Sequence, residues 1–168
     1  FTPTDYLLYN LTNMNSTRVD FQNIVIAAHP QISQAYDEAN LIASFLVSKG
    51  FNAKSSYLDA ESLRSLMGKD NIDLMISLGG DGTMLRTGHF CAPLDIPILG
   101  INMGKFGFLM EFNHSRWKEA LNSLIQGDFW LEKRMLLCAE QWRDEQKIGS
   151  WEVLNEVVVS RGEIVRPV

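Results

Sequence analysis

The sequence predicts an α/β protein: a doubly wound, mostly parallel sheet followed by the first strands of a second, β-rich domain. Three observations predict it. Short continuous apolar runs alternate with segments of helical period, as in a sheet covered on both faces. One of those runs, Ile72 to Leu78, opens into the glycine turn Gly79-Gly80-Asp81-Gly82-Thr83. Beyond Gly127 the pattern changes to strand-like stretches with no helix between them. The chain of 168 residues divides on these grounds into an unassigned N-terminal segment over 1–20, an α/β domain carrying the glycine turn over 21–127 and an incomplete β-rich domain over 128–168.

Each element follows from local chemistry. Asn23 to Ala28 is a continuous apolar run and is predicted as a buried strand. Ser33 is placed to cap the next helix, along which Ala35, Ala39, Ile42 and Leu46 recur at helical spacing, with Gly50 as the stop. Phe51 to Leu58 is a second strand, and Ala60 to Met67 a short helix closed by Gly68. A helix over Thr83 to Phe90 follows the glycine turn, and Pro93 and Pro97 bracket a loop before the strand Ile98 to Ile101. Trp117, Leu121, Leu124 and Ile125 mark a further helix. Trp130 to Trp142 and Trp151 to Ser160 are predicted as antiparallel strands joined by the polar stretch Arg143 to Ser150. Strands alternating with helices imply right-handed parallel crossovers, a Rossmann-like arrangement in which ligands sit beyond the carboxyl ends of the strands. The Asp81 turn lies on that edge.

Composition excludes several classes. Hydrophobic residues at 46% and charged residues at 21% describe a folded chain. A net charge of −5 argues against a broad nucleic-acid surface. Cys91 and Cys138 stand far apart in no metal-ligand spacing, so neither a disulfide framework nor a zinc site is indicated. No apolar stretch approaches the roughly 20 residues of a membrane span, and the first residues lack a signal pattern. A cytoplasmic protein with no nucleic-acid or membrane partner is the expectation.

Glycines around a single Asp are expected to allow positive φ values and to let a phosphate reach main-chain N–H groups. A carboxylate among phosphates repels them, so Asp81 must hold a bridging divalent cation or accept a proton from an attacking hydroxyl. Both roles point to phosphoryl transfer. The Rossmann Gly-x-Gly-x-x-Gly and P-loop fingerprints are absent.

Gly79-Gly80-Asp81-Gly82-Thr83 resembles the turn of several kinase groups: NAD kinases, diacylglycerol and sphingosine lipid kinases and, more loosely, phosphofructokinases. The stretch Gly100-Ile101-Asn102-Met103-Gly104-Lys105-Phe106-Gly107-Phe108-Leu109-Met110-Glu111 closely resembles the glycine-rich loop of NAD kinases, and Leu154-Asn155-Glu156-Val157-Val158 resembles that family's Asn-Glu dyad. Phe106 and Met110 depart from the Leu and Thr more usual there. The resemblance, from about Ile24 to the end, implies ATP-dependent phosphorylation of the adenosine-ribose 2′-hydroxyl of NAD to give NADP, with a divalent cation such as Mg2+. It implies Asp81 as proton acceptor, with Gly82, Arg86, Asn155, Glu156 and Arg166 around NAD, and Gly79, Gly80, Thr83, Gly104 and Gly107 as phosphate or loop positions. No residue is assigned as a metal ligand. It further implies a homo-oligomer, a dimer or tetramer, and a missing remainder of the β-rich domain that would leave the chain inactive alone. The alternatives are a lipid kinase, which gives no account of the Gly100 to Glu111 loop, and a nucleotide-binding module without catalysis.

Overall fold

The computed structural model describes residues 21–59, 61–63, 71–104, 107–154 and 156–158. Five parallel strands form one sheet in the order β2-β1-β3-β4-β5, with β1 at Asn23–Ala28, β2 at Asn52–Tyr57, β3 at Leu74–Gly79, β4 at Ile98–Asn102 and β5 at Phe112–Asn113. Helices α1 (Ser33–Ser48), α2 (Asp81–Cys91) and α3 (Trp117–Gln126) are interleaved with them.

The apolar runs are continuous because both faces of the sheet are covered. Ile24, Ile26 and Ala28 of β1, with Ile76 and Leu78 of β3, pack against Ala35, Ala39, Ile42 and Leu46 of α1 and Trp117 and Leu121 of α3. The alternate residues Val25, Ala27 and Met75 pack on the opposite face with Leu58, Leu63 and Cys91. All six residues of β3 are buried, as the central position of that strand requires. Burying one such Ile or Leu contributes about 1.5–3 kcal/mol. On the first face Trp117 also donates its indole N–H to Glu38, and its ring meets Phe45 edge-on at 5.4 Å, which ties α3 to α1.

Strand order reverses between β1 and β3, since β1 leads outward to β2 and β3 leads the other way to β4. The crevice at such a reversal is where ligands bind in open α/β sheets. Two backbone bonds close the strand ends around it: His29 N–H donates to Leu78 O at 3.0 Å, and Met103 N–H to Gly79 O at 2.8 Å.

Several expectations are corrected. Ser33 is the first residue of α1 rather than its cap; Ile32 holds the cap position and no side chain caps the helix there. The start is held instead by backbone, with Ile32 N–H donating to His29 O at 3.2 Å and Ala35 N–H to Ile32 O at 3.0 Å. Helix α2 begins at Asp81, not Thr83, so the glycine turn is itself a helix start. Strand β5 was not expected, being only two residues long. The expected helix over Ala60 to Met67 falls mostly outside the described residues, though 61–63 are helical.

The second sheet is an antiparallel hairpin of β6 (Leu137–Arg143) and β7 (Gln146–Val153). Residues 130–136 are not strand, and the joining turn is far shorter than the expected Arg143 to Ser150. Asp144 and Glu145 take φ values of 47° and 64°, and paired left-handed residues match the twist of a tight hairpin. The polar run Gln146 to Ser150 misled because it faces solvent as strand. No helix among the described residues is long and apolar enough to cross a membrane.

Candidate functional site

The site is built where β3 and β4 end. Gly80 caps α2 in an extended conformation, with φ −122° and ψ −169°. Its carbonyl accepts Thr83 N–H at 2.8 Å and Met84 N–H at 3.0 Å, while Thr83 Oγ1 accepts Gly80 N–H at 3.1 Å. The amides of Asp81 and Gly82 find no acceptor among the described residues, which is the ordinary state of a helix's first turn. Such amides and the positive end of the helix favour anions.

Positive φ plays no part in this turn, contrary to expectation. Among the described residues only Gly50 and Gly127 are glycines with positive φ, and both end helices. The glycines at the site act by size. A Cβ on Gly79 would overlap the Thr83 side chain, whereas Gly80 and Gly82 have open space where a Cβ would stand. Gly82 is exposed, so main chain is accessible there.

Beneath the turn lies a short polar relay. Thr87 Oγ1 donates to Thr83 O at 2.9 Å, and Ser77 Oγ lies 2.9 Å from Thr87 Oγ1 with both residues fully buried. Because the Thr87 proton is committed to Thr83 O, Ser77 is the donor in that second bond. The relay pins α2 to β3 one turn below Asp81.

Asp81 does not project freely. Its Oδ2 accepts Phe108 N–H and its Oδ1 accepts Leu109 N–H, each at 3.1 Å. A Cβ on Gly107 would overlap this carboxylate. The approach of the glycine loop is supported from below: Asn102, fully buried at the end of β4, accepts Gly104 N–H on Oδ1 at 3.0 Å. Farther along, Glu111 turns one oxygen inward to accept Gly100 N–H at 2.7 Å. Burial of that inward end raises the Glu111 pKa, and the Gly100 hydrogen bond opposes the rise.

Of the expected residues, Gly79, Gly80, Asp81, Gly82, Thr83, Gly104 and Gly107 are thus gathered at one sheet edge. Arg86 is exposed on α2, and at 3.6 residues per turn it stands about 140° round the axis from Asp81, so the helix does not bring these two together. Glu156 is exposed and lines a cleft of about 330 Å3 with Leu85, Gly88 and His89 of α2, the first of these one turn from Asp81 on its own side. Leu154 sets that approach, since a Cβ on Gly88 would lie 3.2 Å from its Cδ2. Asn155 and Arg166 lie outside the described residues. The amides of Phe108 and Leu109 and the side chain of Asn102 were not singled out from sequence. Backbone donors leave no signature in residue type, although the glycine directly before Phe108 is the trace of a close approach. His29, His89 and His114 join no group of three or more metal-ligating side chains among the described residues.

Residues 48–129 match the family model of the ATP-NAD kinase N-terminal domain. An NAD kinase of Dehalococcoides mccartyi (strain BAV1 of that species) is 38% identical over 148 residues, covering 87% of this chain and 51% of the relative. The chain belongs to the NAD kinase family. A further NAD kinase, from Heliobacterium modesticaldum, is 45% identical over 92 residues, or 55% of this chain and 32% of that one. The chain spans about half the length of the first of these family relatives. The crystal structure of yeast NADH kinase complexed with NADH aligns with a TM-score of 0.52 at 15% identity, covering 80% of this chain and 46% of that one, which shows a shared fold. Family membership does not favour the lipid-kinase alternative.

Proposed function

We propose that the protein to which this chain belongs transfers the γ-phosphoryl group of ATP to the adenosine-ribose 2′-hydroxyl of NAD, giving NADP and ADP. The observation that carries this reading is one carboxylate, Asp81, fixed at a helix start on the carboxyl edge of the sheet by two amides of a glycine loop. A carboxylate offers about four acceptor positions, so with one N–H on each oxygen it retains one on each for the neighbouring hydroxyls of a ribose diol.

In the reaction the ribose O2′ forms a bond to the γ-phosphorus, the bond from that phosphorus to the β–γ bridging oxygen breaks, and Asp81 takes the hydroxyl proton. General-base assistance of this kind typically contributes about 10²–10⁴-fold. The first-turn amides of α2, the open space over Gly80 and Gly82, and the Gly104 turn suit the phosphate oxygens. Asn155, Glu156 and Arg166 are proposed to hold the ribose and nicotinamide end of NAD, with Glu156 entering from the α2 cleft.

The described residues do not fit a protein-held cation, since they include no group of three His, Cys, Asp or Glu side chains that could hold one. Magnesium is therefore proposed as the companion of the ATP phosphates rather than a resident of the protein. A cytoplasmic homo-oligomer is the proposed state, the oligomer supported by the exposed Trp130 and by the exposed Trp151 of the hairpin.

The test is formation of NADP from NAD, ATP and magnesium by the longest gene product containing this chain, with NADH, a diacylglycerol and sphingosine offered in parallel. Turnover of the dinucleotide is expected. Phosphorylation of lipid alone, or of nothing while NAD binds, would overturn the proposal.

A further inference from the structure

We infer that Gly107, with the Phe108 and Leu109 amides behind it, is the positioning device for the Asp81 carboxylate, and that this loop serves the acid rather than a phosphate at that point. The functional importance of the device rests on reading Asp81 as proton acceptor; the device itself rests on geometry alone.

Asp81 stands at the first position of α2, where its backbone is set by the helix but its side chain could adopt any staggered rotamer. An unrestrained carboxylate at a helix start commonly turns back to cap its own helix, where it would sit among the amides that suit an anionic substrate. Here each oxygen is instead taken by one N–H from a segment 27 and 28 residues away in sequence. Both bonds fix the plane of the carboxylate as well as its direction, because one donor alone would leave rotation about χ2.

Gly107 is what allows the loop to come so close. Any side chain there would overlap the carboxylate, and its φ is not in the left-handed region, so the need is for space rather than for backbone freedom. Gly104, three residues earlier, has open surroundings, so the two loop glycines serve different ends. The loop reaches Asp81 because β4 pairs beside β3 in register, Gly79 opposite Asn102, and Met103 N–H extends that pairing onto Gly79 O. The hydroxyl-accepting face of the carboxylate is thereby set by two adjacent strand ends.

Amide hydrogen exchange on the intact gene product tests this without reference to activity. The Phe108 and Leu109 amides are expected to exchange more slowly in the wild type than in Asp81→Ala by about tenfold or more, as for hydrogen bonds to a charged acceptor. In Gly107→Ala, with Asp81 still present, both amides are expected to lose that protection, while the buried amides of β3 report that the sheet is intact. NADP formation by Gly107→Ala should fall by at least about tenfold, the loss expected when a base is displaced from its hydroxyl. If Gly107→Ala does not fold, the comparison of wild type with Asp81→Ala decides alone. Equal exchange at Phe108 and Leu109 in those two proteins would overturn the inference. An Asp81-dependent pattern in a protein that makes no NADP would uphold the positioning device and sink the kinase reading instead.

Discussion

The five-stranded sheet and the hairpin are built on opposite terms. In β3 every residue is buried, whereas β6 and β7 are exposed along most of their length, with Leu137, Trp142, Ile148 and Trp151 among the exposed apolar side chains. The first region is held by apolar burial on two faces, and its polar groups, Ser77, Thr87 and Asn102, are bonded inside it. The hairpin is held by backbone pairing and surface contacts such as Lys147 with Glu140 at 3.0 Å. A lone two-stranded hairpin is marginal in water. Precision at the sheet edge therefore comes from the sheet, while Glu156, three residues beyond the end of the hairpin, only lines a cleft beside α2.

That contrast can be broken or sharpened by substitution, read by chemical denaturation. Ile76→Ala empties a fully buried position at the centre of β3 and should cost about 2–5 kcal/mol. A cost below that of a surface change would mean that the sheet is not the stable region. Thr87→Val keeps the shape but strips the relay, leaving Ser77 and Thr83 O without their partner; about 1–3 kcal/mol is expected, with the helix start loosened around Asp81. Trp142→Ala on the hairpin removes a ring that is 57% exposed and should fall within about 0.5 kcal/mol of the parent. A large loss there would show that the hairpin packs on something that matters.

The smallest effects differ in sign between the regions. Glu111 has its pKa raised by burial, so its contribution to stability is fully present below its unfolded value of 4.5 and is lost as pH rises through the folded value. Glu140 has its pKa lowered, first by its hydrogen bond with Lys147, so its contribution is present above 4.5 and lost as pH falls through the folded value. Stability profiles across the acid range should flatten in opposite directions in Glu111→Gln and Glu140→Gln. The same direction in both would contradict the assignment of causes.

Legibility in the sequence followed the same divide. Buried elements were readable, because a strand covered on both faces must be apolar throughout and β1 and α3 match their predicted spans within a residue. The hairpin was misjudged where exposure erased the alternation, so that Gln146 to Ser150 looked like loop. At the sheet edge, the Asp81 and Thr83 side chains were named from the Gly79 to Thr83 turn, whereas the Asn102 side chain and the backbone donors that meet Asp81 were not. Phe108 and Leu109 matter through their N–H groups, which every residue but proline carries. The glycines misled in one respect, since they were read as conformational licence and prove to be clearance for Thr83 and Asp81.

The central claim concerns Asp81, and Asp81→Asn in the intact gene product tests it most directly, with NADP formation and calorimetric NAD binding measured on the same sample. Turnover should fall by about 10²–10⁴-fold while NAD affinity stays within a few fold, because the amide keeps the volume and one acceptor but takes no proton. Undiminished turnover in the variant would contradict the role of Asp81 as the proton acceptor.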